Sequence, residues 1–141
     1  MKAILAVDAN MGIGVGNKLA FYNKEDLKWF KNYTLGKVCW AGYNTFNNLP
    51  PLVGREVAEF APYMRAMMKN SPQYYTEHVI IGGAKTYKTL ADLTDTCYIT
   101  FFNKANPECD IFLDVYEVYK HLDKRMVTFK NKDFRIEKWS K

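Results

Sequence analysis

The chain has 141 residues, 48% of them hydrophobic and 16% aromatic, and carries 20 Lys+Arg against 15 Asp+Glu for a formal charge of +5. That length fits one domain, since domains commonly run to about 100–150 residues, and the apolar content excludes intrinsic disorder. No apolar run approaches the roughly 20 residues a membrane helix needs, so a membrane partner is not expected. In chain order, Ala3 to Val7 predicts a short buried strand. Asp8 to Gly16, with glycines at 12, 14 and 16, predicts a mobile loop. The spacing there is GxGxG, not the GxGxxG of a dinucleotide fingerprint. Asn23 opens a helix through about Tyr33, with Gly36 just past its end. A strand over 37–41 follows, then a short helix from Gly42 to about Leu49, stopped by Pro50-Pro51. Residues 55–61 predict a weak strand, and Pro62 begins a helix carrying Tyr63, Met64, Met67 and Met68. A loop over 70–77 leads to a strand at 78–81, a Gly82-Gly83 turn and a helix from Ala84 to Leu93. Strands at 96–100 and 110–113 precede a hairpin of 125–130 with 133–139, turning about Asn131-Lys132. Strands separated by helices, then a hairpin, predict a mixed sheet with helices on both faces in one domain over 1–141.

The charge is unevenly placed. Residues 1–119 hold 12 Lys+Arg and 12 Asp+Glu, whereas residues 120–141 hold 8 against 3. A solvated hairpin face, or steering of an anionic ligand, explains this better than a nucleic-acid footprint. Cys39, Cys97 and Cys109 are odd in number and widely spaced, as free thiols in a reducing compartment would be. The two histidines, His78 and His121, lie far apart, so no metal site is expected. Met1-Lys2 runs straight into a strand, which leaves no room for a signal peptide and predicts a cytoplasmic protein.

Asp26 is the residue that asks for chemistry. At 100° per residue it shares one arc of the first helix with Leu27, Trp29, Phe30 and Tyr33, and an unpaired carboxylate in an apolar stripe is unfavourable. Two explanations stand side by side. Asp26 could close a capping box with Asn23, or it could be a functional carboxylate whose pKa is raised by desolvation. A second constellation is Val79-Ile-Ile81 running into Gly82-Gly83 and then Ala84-Lys-Thr-Tyr87, a strand leading through two glycines to a helix start where a pyrophosphate could sit. Gly42-Tyr-Asn-Thr45 repeats that arrangement after another strand.

These segments together resemble the dihydrofolate reductase family. The resemblance is carried by Ala3-Ile-Leu-Ala-Val-Asp8, Met11-Gly-Ile-Gly14, Asn17-Lys-Leu19, Glu25-Asp-Leu-Lys-Trp-Phe30 and Thr34-Leu-Gly-Lys37. It continues through Gly42-Tyr-Asn-Thr-Phe46, Leu52-Val-Gly-Arg55, Val79 to Tyr87, and Tyr98-Ile-Thr100. It implies an α/β fold with a mixed, mainly parallel sheet and a C-terminal antiparallel hairpin. It further implies reduction of dihydrofolate with NADPH, in one-carbon metabolism. Asp26 would lie under the pterin and assist its protonation, supported by Thr100. Ile4, Ala6, Leu27, Phe30, Leu49 and Leu52 would line the substrate, and Arg55 would bind its α-carboxylate. Phe21 stands where a tryptophan is common. Ala6, Ile13, Asn17 and Leu19 would approach the nicotinamide. Gly42, Tyr43, Asn44 and Thr45, with Ile81, Gly82, Gly83, Ala84, Lys85, Thr86 and Tyr87, would hold the rest of the cofactor.

Three departures from the family pattern accompany the resemblance. Tyr43 occupies the place of an arginine that meets the 2′-phosphate of NADPH, which leaves NADH open as the cofactor. Ala84 replaces a third glycine. The stretch 56–77 is short, so a strand is expected to be missing or rebuilt by residues 58–68. A monomer is expected, with dimerisation open through an exposed sheet edge. Two other readings stay beside the reductase: a weak or inactive descendant that binds folate or nucleotide, and a related pteridine or pyrimidine reductase.

Overall fold

A computed structural model describes residues 1–141. Its main sheet has seven strands: β1 (Lys2–Val7), β4 (Val38–Ala41), β5 (Glu56–Glu59), β6 (Val79–Gly82), β7 (Thr96–Phe102), β9 (Lys124–Lys130) and β10 (Phe134–Ser140), in the order β5-β4-β6-β1-β7-β10-β9. The pairs from β5 to β7 are parallel, and β10 runs antiparallel to both β7 and β9. A small second sheet joins β2 (Gly12–Val15), β3 (Lys18–Leu19) and β8 (Ile111–Phe112). The α-helices are α1 (Lys24–Thr34), α2 (Tyr43–Asn48), α3 (Arg65–Asn70), α4 (Ala84–Thr89) and α5 (Val115–Val118). The mixed, mainly parallel sheet and the C-terminal hairpin are those expected from the sequence.

The order of crossovers decides which helix covers which face. The chain steps outward from β1 to β4 to β5, then back from β5 to β6 to β7, and right-handed crossovers put the two sets of helices on opposite faces. Packing agrees. Ala3, Leu5 and Val7 of β1 join Met68, Tyr87, Leu90, Val115 and Tyr119 in the larger core cluster. Ala6, pointing the other way, packs with Phe21 and Trp29 against Phe102, Phe134 and Ile136. Strand alternation thus assigns the even residues of β1 to the α1 face.

The structure corrects several expectations. The glycine-rich stretch after β1 is a strand, β2, paired on both sides and not a free loop. Its glycines carry no side-chain pattern, and its partner β8 lies about a hundred residues on, so no local signal marked it. A Cβ at Gly12 would come within 2.8 Å of Cys109 Sγ and 2.9 Å of Asp8 Oδ2, which explains the missing side chain better than flexibility does. The helix expected from Pro62 begins as a 3-10 turn over Pro62–Met64 and becomes α-helical at Arg65. The helix expected over 84–93 ends at Thr89 and passes into a 3-10 turn over Ala91–Leu93. Helix α5, capped by Asp114, is additional.

Between β5 and β6 the chain is helical and contributes no strand, so β5 is the outer strand of the sheet. Phe60 and Met68 from this stretch are buried in the core instead. At the other border every residue of β9 is exposed, and the exposed set includes Met126, Val127 and Phe129 as well as the basic side chains. That edge is therefore less uniformly polar than the charge pattern suggested.

Candidate active site

The capping question at the head of α1 resolves through hydrogen bonds. Asn23 caps the helix, its Oδ1 accepting from the backbone N–H of Glu25 at 3.0 Å and of Asp26 at 3.1 Å. The Asp26 carboxylate does not turn back to the cap. It accepts a 2.7 Å hydrogen bond from Thr100 Oγ1 on β7. Thr100 is buried, pairs across the sheet with Ala6 on one side and Ile136 on the other, and so lies on the α1 face beneath the acid. Burial pushes the Asp26 pKa up, and the Thr100 hydrogen bond offsets that rise only in part. The result is a half-buried carboxyl group that keeps its proton to higher pH than an exposed aspartate does.

Of the aromatic and apolar residues expected to line the substrate, Ala6 and Phe21 pack on the same face of the sheet as Thr100, against Phe102, Phe134 and Ile136. Phe21 is half-buried and packs on Phe102 with ring centroids 4.9 Å apart. Ile4 is buried, while Ala6, Phe30, Leu49 and Leu52 are half-buried. Leu27 is 38% exposed, one helix position beyond the acid. Arg55 lies against the far end of α1, its Nη1 donating to Thr34 Oγ1 at 3.3 Å and its Nε to the Val53 carbonyl at 3.1 Å. The guanidinium is thereby fixed at the opposite end of the helix from Asp26.

Across the sheet, the turns after β4 and β6 are tied together. Gly42 N–H donates to the Gly82 carbonyl at 2.8 Å. A Cβ on Gly42 would collide with Thr86 Oγ1, and one on Gly83 would lie 3.1 Å from Thr45 Oγ1. Gly82 has φ +136, a conformation that side chains rarely adopt. Ala84, at the head of α4, is half-buried and accommodated without displacement of the turn. Tyr87 is buried in the core cluster and its hydroxyl donates to the Ile4 carbonyl at 2.7 Å. Ile81 is half-buried, Thr86 buried, and Tyr43, Asn44 and Lys85 exposed. Together these turns make a glycine-rich cradle in which the Thr45 and Thr86 side chains pack against the glycines, a type of strand-to-helix turn that a phosphate can approach.

Ile13 lies half-buried on β2, whereas Asn17 and Leu19 are exposed at the β2–β3 hairpin. The sequence did not single out the residue that holds this hairpin in place, Asp8. Its buried carboxylate accepts backbone N–H bonds from Gly12 at 2.7 Å, Asn10 at 2.8 Å and Asn106 at 2.8 Å. Burial alone would raise its pKa, but these donors outweigh burial and hold it below the ordinary value. Asn106 also donates from Nδ2 to the Ala20 carbonyl at 2.9 Å, which ties the segment ahead of β8 to the strand-to-helix connection carrying Phe21. An acid ending a buried strand just before two glycines is the signal that could have identified Asp8.

The fold thus carries an acid–threonine pair between α1 and β7 and a pair of glycine turns after β4 and β6 in one α/β sheet protein. Comparison with known proteins gives that arrangement its lineage. Residues 1–139 match the family model described as dihydrofolate reductase, and the chain belongs to that family. It is 33% identical to a dihydrofolate reductase of Buchnera aphidicola from Acyrthosiphon pisum, over 84% of this chain and 81% of that protein. It is 29% identical to the type 9 dihydrofolate reductase of Escherichia coli, over 82% and 76% of the two chains. Among solved structures it is similar to the Enterococcus faecalis dihydrofolate reductase complexed with NADP(H) and RAB-propyl, at TM-score 0.73 and 21% identity over 99% of this chain and 94% of that one. At that identity the likeness establishes the fold.

Proposed function

We propose that this chain reduces 7,8-dihydrofolate to 5,6,7,8-tetrahydrofolate with a reduced nicotinamide dinucleotide, NADPH being the form the family resemblance implies. The observation that carries the reading is the half-buried Asp26 carboxyl, held by Thr100 from the central sheet and raised in pKa by burial. Such a group suits a pterin, whose 2-amino group and N3 offer paired donors to one carboxylate. In this role Asp26 orients the ring and raises the proton occupancy at N5, while Thr100 fixes the carboxylate rotamer. Phe21, Leu27 and Phe30 exclude water from the ring, with Ile4, Ala6, Leu49 and Leu52 completing the pocket, and Arg55 takes the substrate's α-carboxylate as a fork.

The turns formed by Gly42, Gly82 and Gly83 would receive the pyrophosphate as the family resemblance implies, with the Thr45 and Thr86 hydroxyls packed beside them as hydrogen-bond donors. Tyr43, Asn44 and Thr45 would flank the adenosine half. Ile81, Ala84, Lys85, Thr86 and Tyr87 would follow the dinucleotide toward the nicotinamide, where Ala6, Ile13, Asn17 and Leu19 close the site. The bound cofactor supplies a hydride from C4 of its ring to C6 of the substrate, and the protein supplies alignment and proton control. The enzyme would act in the cytoplasm as a monomer, with dihydrofolate as its partner and no nucleic acid or membrane involved. Dihydrofolate-dependent loss of absorbance at 340 nm from NADPH or NADH tests the proposal directly. Turnover that Asp26→Asn abolishes at neutral pH supports it, and folded protein without turnover on either cofactor overturns it.

A further inference from the structure

Resting on that reading of the cradle, we propose that Glu59 is a cofactor-specificity residue, and that with Tyr43 it sets the adenosine end to take NADH at least as well as NADPH. The argument begins with the border of the sheet. Because no strand follows β5 on its outer side, the C-terminal ends of β4, β5 and β6 form the outer part of the cradle by themselves. Ala41 and Glu59 are register partners in the parallel β4–β5 pair. Aligned residues of a parallel pair point to the same face, so the Glu59 side chain lies beside fully buried Ala41, on the α2 side, below the Gly42–Tyr43 entry to that helix.

The charges at this border are few and can be weighed one by one. Glu59 is half-buried and takes part in no ion pair or side-chain hydrogen bond, leaving both carboxylate oxygens available. Tyr43 is 69% exposed and brings a hydroxyl where a fixed cation would be needed. The chain leaves β5 through Ala61 and Pro62, which have no side-chain donor, and Pro62 has no N–H. Arg65, the next cation along, is bound to Asp92 and to the Thr89 carbonyl at 3.1 Å. Lys85 on α4 is exposed and offers a flexible point charge without an arginine fork. At the C-terminal end of β5 the free charges are therefore the Lys85 cation and the Glu59 anion, with no bidentate donor; Glu56 lies at the far end of the strand.

A 2′-phosphate is anionic and needs fixed donors, and beside Glu59 it meets like charge. A ribose 2′-hydroxyl is neutral and donates a hydrogen bond that a free carboxylate accepts. The same side chain that repels one cofactor thus holds the other.

The test measures binding of NADPH and NADH to the intact protein by quenching of its tryptophan fluorescence, without folate present, together with the ratio of kcat/KM for the two cofactors. The expected dissociation constants favour NADH or are equal. Glu59→Gln, isosteric at a half-buried position, should shift the ratio about five- to ten-fold toward NADPH. Tyr43→Arg, at an exposed position, should shift it further in the same direction. The effect of Glu59→Gln should also shrink at high salt, as a through-space charge does and a packing change does not. NADPH bound at least ten-fold more tightly than NADH, with Glu59→Gln leaving the ratio unchanged, overturns the inference while leaving the reductase reading intact. Failure to bind either dinucleotide overturns both.

Discussion

Asp8 and Asp26 are both withdrawn from water, the first fully and the second in part, and their environments push them in opposite directions. Asp8, at the end of β1, sits in a nest of three backbone N–H groups and is held below its ordinary pKa. Asp26, three residues into α1, has a single hydroxyl for company and is raised. The number of donors decides the outcome: three direct N–H bonds overcome desolvation, whereas one threonine does not. A fully satisfied carboxylate holds structure together, and an under-satisfied one retains capacity for a ligand. The contrast sets Asp8 apart as the structural acid and leaves Asp26 as the acid for which a ligand role is proposed.

The sharpest way to break this contrast is Asp26→Asn, which keeps shape and removes the titrating group. Steady-state reduction at pH 7 should fall by about 10²–10³-fold, with circular dichroism unchanged. Asp8→Ala should do the converse, lowering unfolding free energy by about 2–4 kcal/mol in urea titrations, because the buried Gly12 N–H and the part-buried N–H groups of Asn10 and Asn106 lose their partner. Thr100→Val should reduce kcat by about ten-fold, and it removes the one interaction that lowers the Asp26 pKa. The pKa should therefore rise further, and the Asp26-dependent step in the pH–rate profile should move to higher pH.

The smallest effects are in stability against pH, and their signs are opposite for the two acids. A raised pKa means that the folded state holds its proton longer than the unfolded chain. Stability from Asp26 therefore declines as pH climbs from about 3.8 through its folded value and stays lower above it. Asp26→Asn should accordingly melt a few degrees higher than the parent at pH 7, a gain that fades as pH falls below 4. For Asp8, with its pKa lowered, the stabilisation is complete above about 4 and is lost as pH falls through the folded value. Thermal melts of the parent, Asp26→Asn and Asp8→Asn between pH 3 and 7 check both signs.

How much of this was legible in the sequence follows from how local each signal is. Strand β1, helix α1 and its Asn23 cap, the two glycine turns and the C-terminal hairpin rest on neighbouring residues and were readable. The placement of Asp26 in an apolar arc was readable too, but its choice between cap and cleft was not, because Thr100 is 74 residues away. Strand β2 was hidden for the same reason, since its glycines take their meaning from Cys109, Asp8 and β8. The absence of a strand between β5 and β6 followed from a short segment. That this absence leaves Glu59 unpaired at the border of the cradle needed the register of β4 with β5.

One buried hydrogen bond has a bearing on how the two halves of the site keep their spacing. Tyr87 rises from the helix that follows the glycine cradle and reaches through the core to the Ile4 carbonyl on β1, the strand proposed to line the folate side. Both anchoring points belong to regular elements in the larger core cluster, so neither mobile connections nor either ligand sets their separation. On the proposed reading of the site, the bond would work as a spacer of fixed length, gauging the gap a hydride must cross before donor or acceptor arrives. An enzyme gauged in this way can change the loops that admit its ligands and leave the crossing distance where it was.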